Sequence, residues 1–312
     1  MVSTSIETAN DAAVLAELPG AMARTAAGRV RGLTLRGGLA EVPEPVRRLG
    51  ALEELDLNAN RLRALPAWIG ELGALRSLAL GDNRLDELPE ALRVLCGLTH
   101  LYLHGNQIAA LPEWIGDLGE LRVLDLSRNQ ELEELPDAVG WLGRLAFLYA
   151  AGLSLARLPD SLAALRSAVY CNFSHNRLRD LPDTLGELTT LRELRVDHNL
   201  LAALPSSLGR LIGLRELHAS HNRLRALPSS LGELTQLTTL AVRDNLLDDV
   251  PASLAGMARL RALDLRENRL EQPPEVLARL PALDKLDLRW NGLRALPPAL
   301  APLAQRGCSV YY

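Results

Sequence analysis

A leucine returns every 23 residues along this chain. Leu52, Leu75, Leu98 and Leu121 open successive copies, Leu145 arrives one residue late, and Ala168, Leu191, Leu214, Leu237, Leu260 and Leu283 resume the step. A period of this length, held over so many copies, means that each copy is a small unit that buries its apolar face only against its neighbours. From each start the template runs L-x-x-L-x-L-x-x-N-x-L-x-x-L-P, followed by P-x-x-L-G-x-L-x-x-L as in "PSSLGELTQL". A chain of 312 residues would ordinarily suggest two domains, but stacked copies share one continuous core, so the pattern predicts a single domain.

Alternation gives the physics of one copy. In "LEELDLNANRL", Leu55 and Leu57 lie two apart and face one side of a short strand, while Glu54, Asp56 and Asn58 face the other. Parallel strands about 4.7 to 4.9 Å apart then align the polar positions as columns on an open face. Asn60, Asn83, Asn106, Asn129, Asn176, Asn199, Asn222, Asn245, Asn268 and Asn291 share one further column. The proline that follows fixes the backbone and opens the return segment, where Leu or Ile three residues on and Leu six residues on mark a short helical face.

These motifs resemble the leucine-rich repeat family, in particular the intracellular 23-residue type of Scribble-like scaffolds, plant Ras-group-related repeat proteins and bacterial leucine-rich repeat proteins, over roughly residues 30 to 306. The resemblance implies an α/β leucine-rich repeat solenoid, a curved horseshoe with a parallel concave sheet and short helical or 3-10 convex segments. It also implies that each column asparagine turns inward, where its amide serves backbone groups that the tight bend leaves unpaired.

Both ends depart from the template, as a stack requires. Residues 1–29 are read as an N-terminal helical cap, with Asn10 or Asp11 as N-cap, Val14, Leu15 and Leu18 at helical spacing, and a Pro-Gly stop. Repeats then fill 30–297. Residues 298–312 form a C-terminal cap that keeps Leu300 and Leu303, puts Arg306 where the next copy would start, and seals the stack with Val310 and Tyr311 or Tyr312.

Composition excludes several classes of function. A net charge of -4 leaves no electrostatic footprint for nucleic acid. The leading "MVSTSIETAN" lacks a basic segment followed by an apolar run, and no uninterrupted apolar stretch reaches the length of a bilayer span, so no membrane partner is expected. Of three cysteines, Cys171 takes a leucine position and Cys96 a helical segment; reduced thiols without paired-cysteine caps point to the cytoplasm. With no Gly-rich phosphate loop, zinc-protease motif or Ser-His-Asp arrangement, neither an enzyme nor a cofactor is expected.

The outward residues are those the scaffold does not dictate. The central strand column reads Thr34, Asp56, Ala79, Tyr102, Asp125, Tyr149, Asn172, Arg195, His218, Ala241, Asp264 and Asp287; the neighbouring column adds His100, Phe147 and Tyr170. Template rules relax over 145–176: Leu153 replaces Asn, Ala168 and Cys171 replace leucines, and Phe173 offers the volume that Ala150 lacks in the same core column. Relaxed rules beside outward aromatics point to an interface. The partner-binding candidates are Tyr102, Asp125, Phe147, Tyr149, Tyr170, Asn172, Arg195, His218 and Trp290.

All six histidines, His100, His104, His175, His198, His218 and His221, fall on the same side. His175, His198 and His221 occupy equivalent positions in consecutive copies, about 5 Å apart. A linear ladder lacks the convergence a metal needs, so no metal is expected and a pH-sensitive patch is the better reading. Trp68 and Trp114 on the return side are read as half-buried between neighbouring turns. The expected function is a non-catalytic protein–protein interaction module that binds a partner protein on its concave face. The alternatives are a secreted bacterial effector, or a fragment of a multidomain leucine-rich repeat enzyme, a ubiquitin ligase or kinase, whose catalytic part is absent.

Overall fold

A computed structural model describes residues 11–272, 274–293 and 298–312. The chain forms two compact units, Met1–Leu153 and Ser154–Tyr312, and each is taken by itself.

The first unit opens with a helix, α1, helical over residues 11–16. Of the three apolar residues at helical spacing, Val14 and Leu18 are buried and Leu15 is half-buried. Asp11 is buried too, and its carboxylate reaches across to residues 29 and 30: Oδ2 accepts from the Val30 amide at 2.8 Å and pairs with Arg29 Nε at 3.0 Å. Asn10, the other candidate cap, lies outside the described residues. The cap is more than helical. A strand β1 (Met22–Ala26) runs antiparallel to β2 (Arg29–Thr34); "MARTA" is exposed at every position, so no alternation betrays it. From β2 onward, β3 (Glu54–Asp56), β4 (Ser77–Ala79), β5 (His100–Tyr102), β6 (Val123–Asp125) and β7 (Phe147–Tyr149) pair in parallel, each with the equivalent residues of the next copy.

The second unit repeats the arrangement with β8 (Tyr170–Asn172), β9 (Glu193–Arg195), β10 (Glu216–His218), β11 (Thr239–Ala241), β12 (Ala262–Asp264) and β13 (Lys285–Asp287). A short helix α2 (Ala301–Gln305) buries Leu303 and leads into β14 (Ser309–Tyr311), which adds to β13. Val310 registers with Leu286 and so continues the inner column. Tyr311 registers with Asp287 and joins the outer one; Val310 is half-buried, Tyr311 is 43% exposed and Tyr312 is 60% exposed.

The return segments are 3-10 turns throughout the regular copies. Pro66 sits in extended geometry at φ -69°, and Ala67–Glu71 then close i→i+3 bonds that bury Ile69 and Leu72. Five residues leave little room for α-helical turns, and the tighter 3-10 geometry suits a short connector. Neighbouring turns approach closely: a Cβ on Gly116 would come 2.9 Å from the Ala138 carbonyl oxygen and 2.7 Å from the Trp141 ring. Trp68 and Trp114 are half-buried.

Asparagines join the copies. Asn83 donates through Nδ2 to Leu80 O at 2.9 Å and to Leu57 O at 3.0 Å, while its Oδ1 accepts from the Leu62 amide at 3.0 Å. In the second unit Asn199 does the same with Val196 O, Phe173 O and the Leu178 amide. With a further donation to Gly81 O or Asp197 O, each amide serves four backbone groups from two copies, which is why the column tolerates no apolar residue without compensation elsewhere.

Candidate interaction face

Strand register builds the face. In the first unit Thr34, Asp56, Ala79, Tyr102, Asp125 and Tyr149 stand side by side. In the second, Asn172, Arg195, His218, Ala241, Asp264 and Asp287 do so. Inward neighbours such as Leu124 and Leu217 are fully buried, so alternation separates core from face residue by residue. Two members of the column are not open to solvent. Ala79 is nearly buried, and Asp287 is 1% exposed, enclosed by its own ion pairs. Burial works against the Asp287 carboxylate, but hydrogen bonds and charge from Arg289, with Arg266 beside it, hold it below the usual carboxylate range.

The first unit holds Tyr102, Asp125, Phe147 and Tyr149. Burial, and then the charge of Asp125, push the Tyr102 phenol up. The Tyr102 ring stacks on His100 at 6.2 Å between centroids. Asp125 accepts the Ser127 amide at 3.0 Å and lies 3.2 Å from His104 Nδ1. Phe147 is 38% exposed and Tyr149 is half-buried.

The second unit holds Tyr170, Asn172, Arg195, His218 and Trp290. Asn172 Oδ1 accepts the Ser174 amide at 3.0 Å. Arg195 Nε donates to Glu193 at 2.5 Å, and His218 Nε2 lies 3.1 Å from Glu216, so both basic groups pair along their own strands. Trp290 is 61% exposed, with Arg289 at 5.2 Å and Arg243 at 5.7 Å over its ring.

Sequence reasoning missed why certain side chains stand where they do. The residue before each column asparagine has left-handed backbone: Ala59, Asp82, Arg128, His175, His198, His221, Asp244, Glu267 and Trp290 have φ between 51° and 61°. Such a conformation is uncommon outside glycine. The signal was present in Gly105 and Gly152, which occupy this position with φ of 65° and 68°. At that bend His175, His198 and His221 stack face to face, with centroids 4.1 and 4.0 Å apart and planes within 12°. Burial, then the neighbouring imidazoles of His221 and His175, lower the His198 pKa. Parallel rings hold their nitrogens side by side, not around a point. Among the described residues, the cluster with converging donors is Glu193, Glu216 and His218, whose ligand atoms lie within 4.8 Å of one another, and Arg195 already holds Glu193. Exposed Trp141 and Val94 on the return side also escaped, because the equivalent position elsewhere carries charges such as Glu71 and Asp117.

Stacked copies that give one strand face to a leucine core and the other to solvent define a repeat fold typical of protein-interaction scaffolds. Residues 89–201 match a leucine-rich repeat region, and 50–108, 212–270 and 235–293 match the leucine rich repeat; the chain belongs to the leucine-rich repeat family. No curated protein matches the sequence. Among solved structures it is similar to a leucine-rich repeat protein of Leptospira interrogans, at 26% identity and TM-score 0.62 over 89% of this chain and 83% of that one. An internalin of Listeria monocytogenes shares the fold at 21% identity and TM-score 0.68, over 98% of this chain and 94% of the internalin. The plant peptide hormone receptor RGFR1, solved in complex with RGF2, is 27% identical at TM-score 0.56, over 84% of this chain and 52% of the receptor.

Proposed function

We propose that this protein is a non-catalytic interaction module that binds a partner protein on the concave face of its sheet. The contacts are assigned to Tyr102, Asp125, Phe147 and Tyr149 in the first unit and to Tyr170, Asn172, Arg195, His218 and Trp290 in the second. One observation carries the reading: scaffold chemistry accounts for the inward column and the asparagines, and leaves aromatic and polar residues standing in register on the outward face. Aromatic and arginine side chains in such a setting are the usual anchors of protein recognition. The likeness to a receptor solved with its peptide hormone supports the same use of the fold.

The non-catalytic reading rests on how the polar groups are spent. Arg195 with Glu193, His218 with Glu216, and Arg289 with Asp287 neutralise one another along their strands and do not converge on a nucleophile. Net charge of -4 argues for a protein partner over nucleic acid. Three free thiols, Cys96, Cys171 and Cys308, fit a cytoplasmic location.

The test is capture on the immobilised chain, identification of the retained protein by mass spectrometry, and calorimetry with that protein purified. Loss of affinity in Tyr149→Ala, Tyr170→Ala and Trp290→Ala variants that remain folded is the expected result. Undiminished affinity in all three, or turnover by the chain in a ubiquitin-transfer or kinase assay, would replace the reading.

A further inference from the structure

Strand β4 is unusual in its outward residues. Ser77, Ala79 and Gly81 follow one another on that side, and all are small. Their neighbours are large. Ser77 stands between Glu54 and His100, and Ala79 between Asp56 and Tyr102. Beyond the strand, His104 leans over Gly81 so closely that a Cβ there would run into its ring. The result is a trench along β4 with one acidic bank and one aromatic bank. Met22, Ala23 and Arg24 of β1 line it as well, and the space has a volume of about 710 Å³, within the range of ligand clefts.

The charges in it are unevenly matched. Glu54 pairs with Arg24 at 2.9 Å and Asp56 with Arg36 at 3.0 Å. Asp125 has neither arginine nor lysine among the described residues; its basic neighbour is the imidazole of His104 at 3.2 Å. Its carboxylate is 20% exposed, beside the Tyr102 ring.

From this we infer that the trench is an anchor pocket for a cationic side chain of the partner protein, arginine in preference to lysine. The aliphatic stem lies on Ala79, the guanidinium plane packs against Tyr102, and the charge meets Asp125. Arginine is preferred because its planar fork both stacks on an aromatic ring and pairs with a carboxylate, whereas lysine offers a point charge. The inference rests on the interaction reading above and adds which partner group is held and where.

Backbone amide NMR of the full chain, titrated with N-acetyl-arginine amide, tests it, with the neutral isostere N-acetyl-citrulline amide as control. Arginine should shift the amides of Ser77, Ala79 and Gly81, and citrulline should not. Asp125→Asn should weaken the arginine response by about tenfold, the scale of one charge-assisted hydrogen bond. Ala79→Met, which fills the trench, should abolish it while resonances of the second unit stay in place. Equal responses to both probes, shifts that fall elsewhere, no shift at all, or indifference to Asp125→Asn would overturn the anchor. If the anchor fails while capture still depends on Tyr149 and Tyr170, the interaction reading survives alone; if the probe binds and capture fails, the pocket survives and that reading falls.

Discussion

The amide of Leu132 donates to the carbonyl of Asn129 at 3.0 Å. In a regular copy the equivalent amide goes to the asparagine of the next copy, as Leu62 goes to Asn83 and Ile108 to Asn129, each at 3.0 Å. Here the next copy has Leu153 in place of asparagine, and Leu153 is buried. The extra residue that makes Leu145 one step late lets the chain turn far enough for Leu132 to bond locally. The insertion and the missing asparagine are therefore one structural event.

Leu153→Asn alone should destabilise the protein by about 1 to 3 kcal/mol, because it buries an amide whose natural donor is already satisfied. Removing Gln130 alone should also destabilise it. Combining the two restores the regular register, so the double variant should be more stable than the sum of the single losses predicts. Additive losses in denaturant unfolding would show that the two departures are unrelated.

Asn199→Ala should cost about 1 to 3 kcal/mol, since it strands the Leu178 amide and the carbonyls of Phe173 and Val196. Arg195→Ala, four residues earlier, removes a partly exposed pair with Glu193 and should cost no more than about 1 kcal/mol. Thermal unfolding of both variants decides it; equal shifts would contradict the inward role of the asparagine.

Most of this architecture was legible because one pattern, repeated, encodes it. The alternation that puts Leu55 inside and Asp56 outside recurs from β3 to β13, and the asparagine column follows from the same spacing. What escaped was local and unrepeated. β1 has no buried residue to mark it. The enclosure of Asp287 depends on Arg266 and Arg289, each one side-chain reach away, and no periodicity reports that. The trench along β4 was hidden because Ser77, Ala79 and Gly81 are unremarkable singly; their meaning comes from the bulk of the strands on either side.

His198 should titrate below the ordinary histidine value, because burial and two stacked imidazoles disfavour its charged form. With the folded pKa below the unfolded one, the unfolded chain binds more protons, so stability rises with pH across that window. The contribution is complete above about pH 6.5 and is lost as pH falls from there through the folded pKa. NMR titration should show the His198 midpoint moving up in His221→Asn, a replacement that tolerates the left-handed backbone at that site. An unchanged midpoint would mean the stack carries no electrostatic coupling.

Cys96 is exposed, whereas Cys171 is buried with its thiol pushed up to about 12. A thiolate is the reacting species, so alkylation at neutral pH should mark Cys96 in the native protein and Cys171 only after unfolding. Mass spectrometry of the peptides distinguishes the two. Rapid native labelling of Cys171 would show that β8 opens easily.

The stretch around β8 gives the sharpest test of face against core. Tyr170 and Asn172 point outward, in register with Glu193 and Arg195, while Cys171 registers with Leu194 and is buried. Phe173, next on the inward side, is the largest fully buried side chain among the described residues. Phe173→Ala should therefore lower stability by about 3 to 5 kcal/mol through the cavity it leaves. Tyr170→Ala, at a half-buried position, should cost clearly less stability than Phe173→Ala, about 1 kcal/mol, yet weaken partner binding by about 1 to 4 kcal/mol if this face is the interface. A core that had merely drifted predicts that Phe173 alone matters. An interface predicts two phenotypes that alternate along four residues, one seen in unfolding and the other in calorimetry with the captured partner. Binding indifferent to Tyr170, in a variant shown to be folded, would remove this strand from the interface.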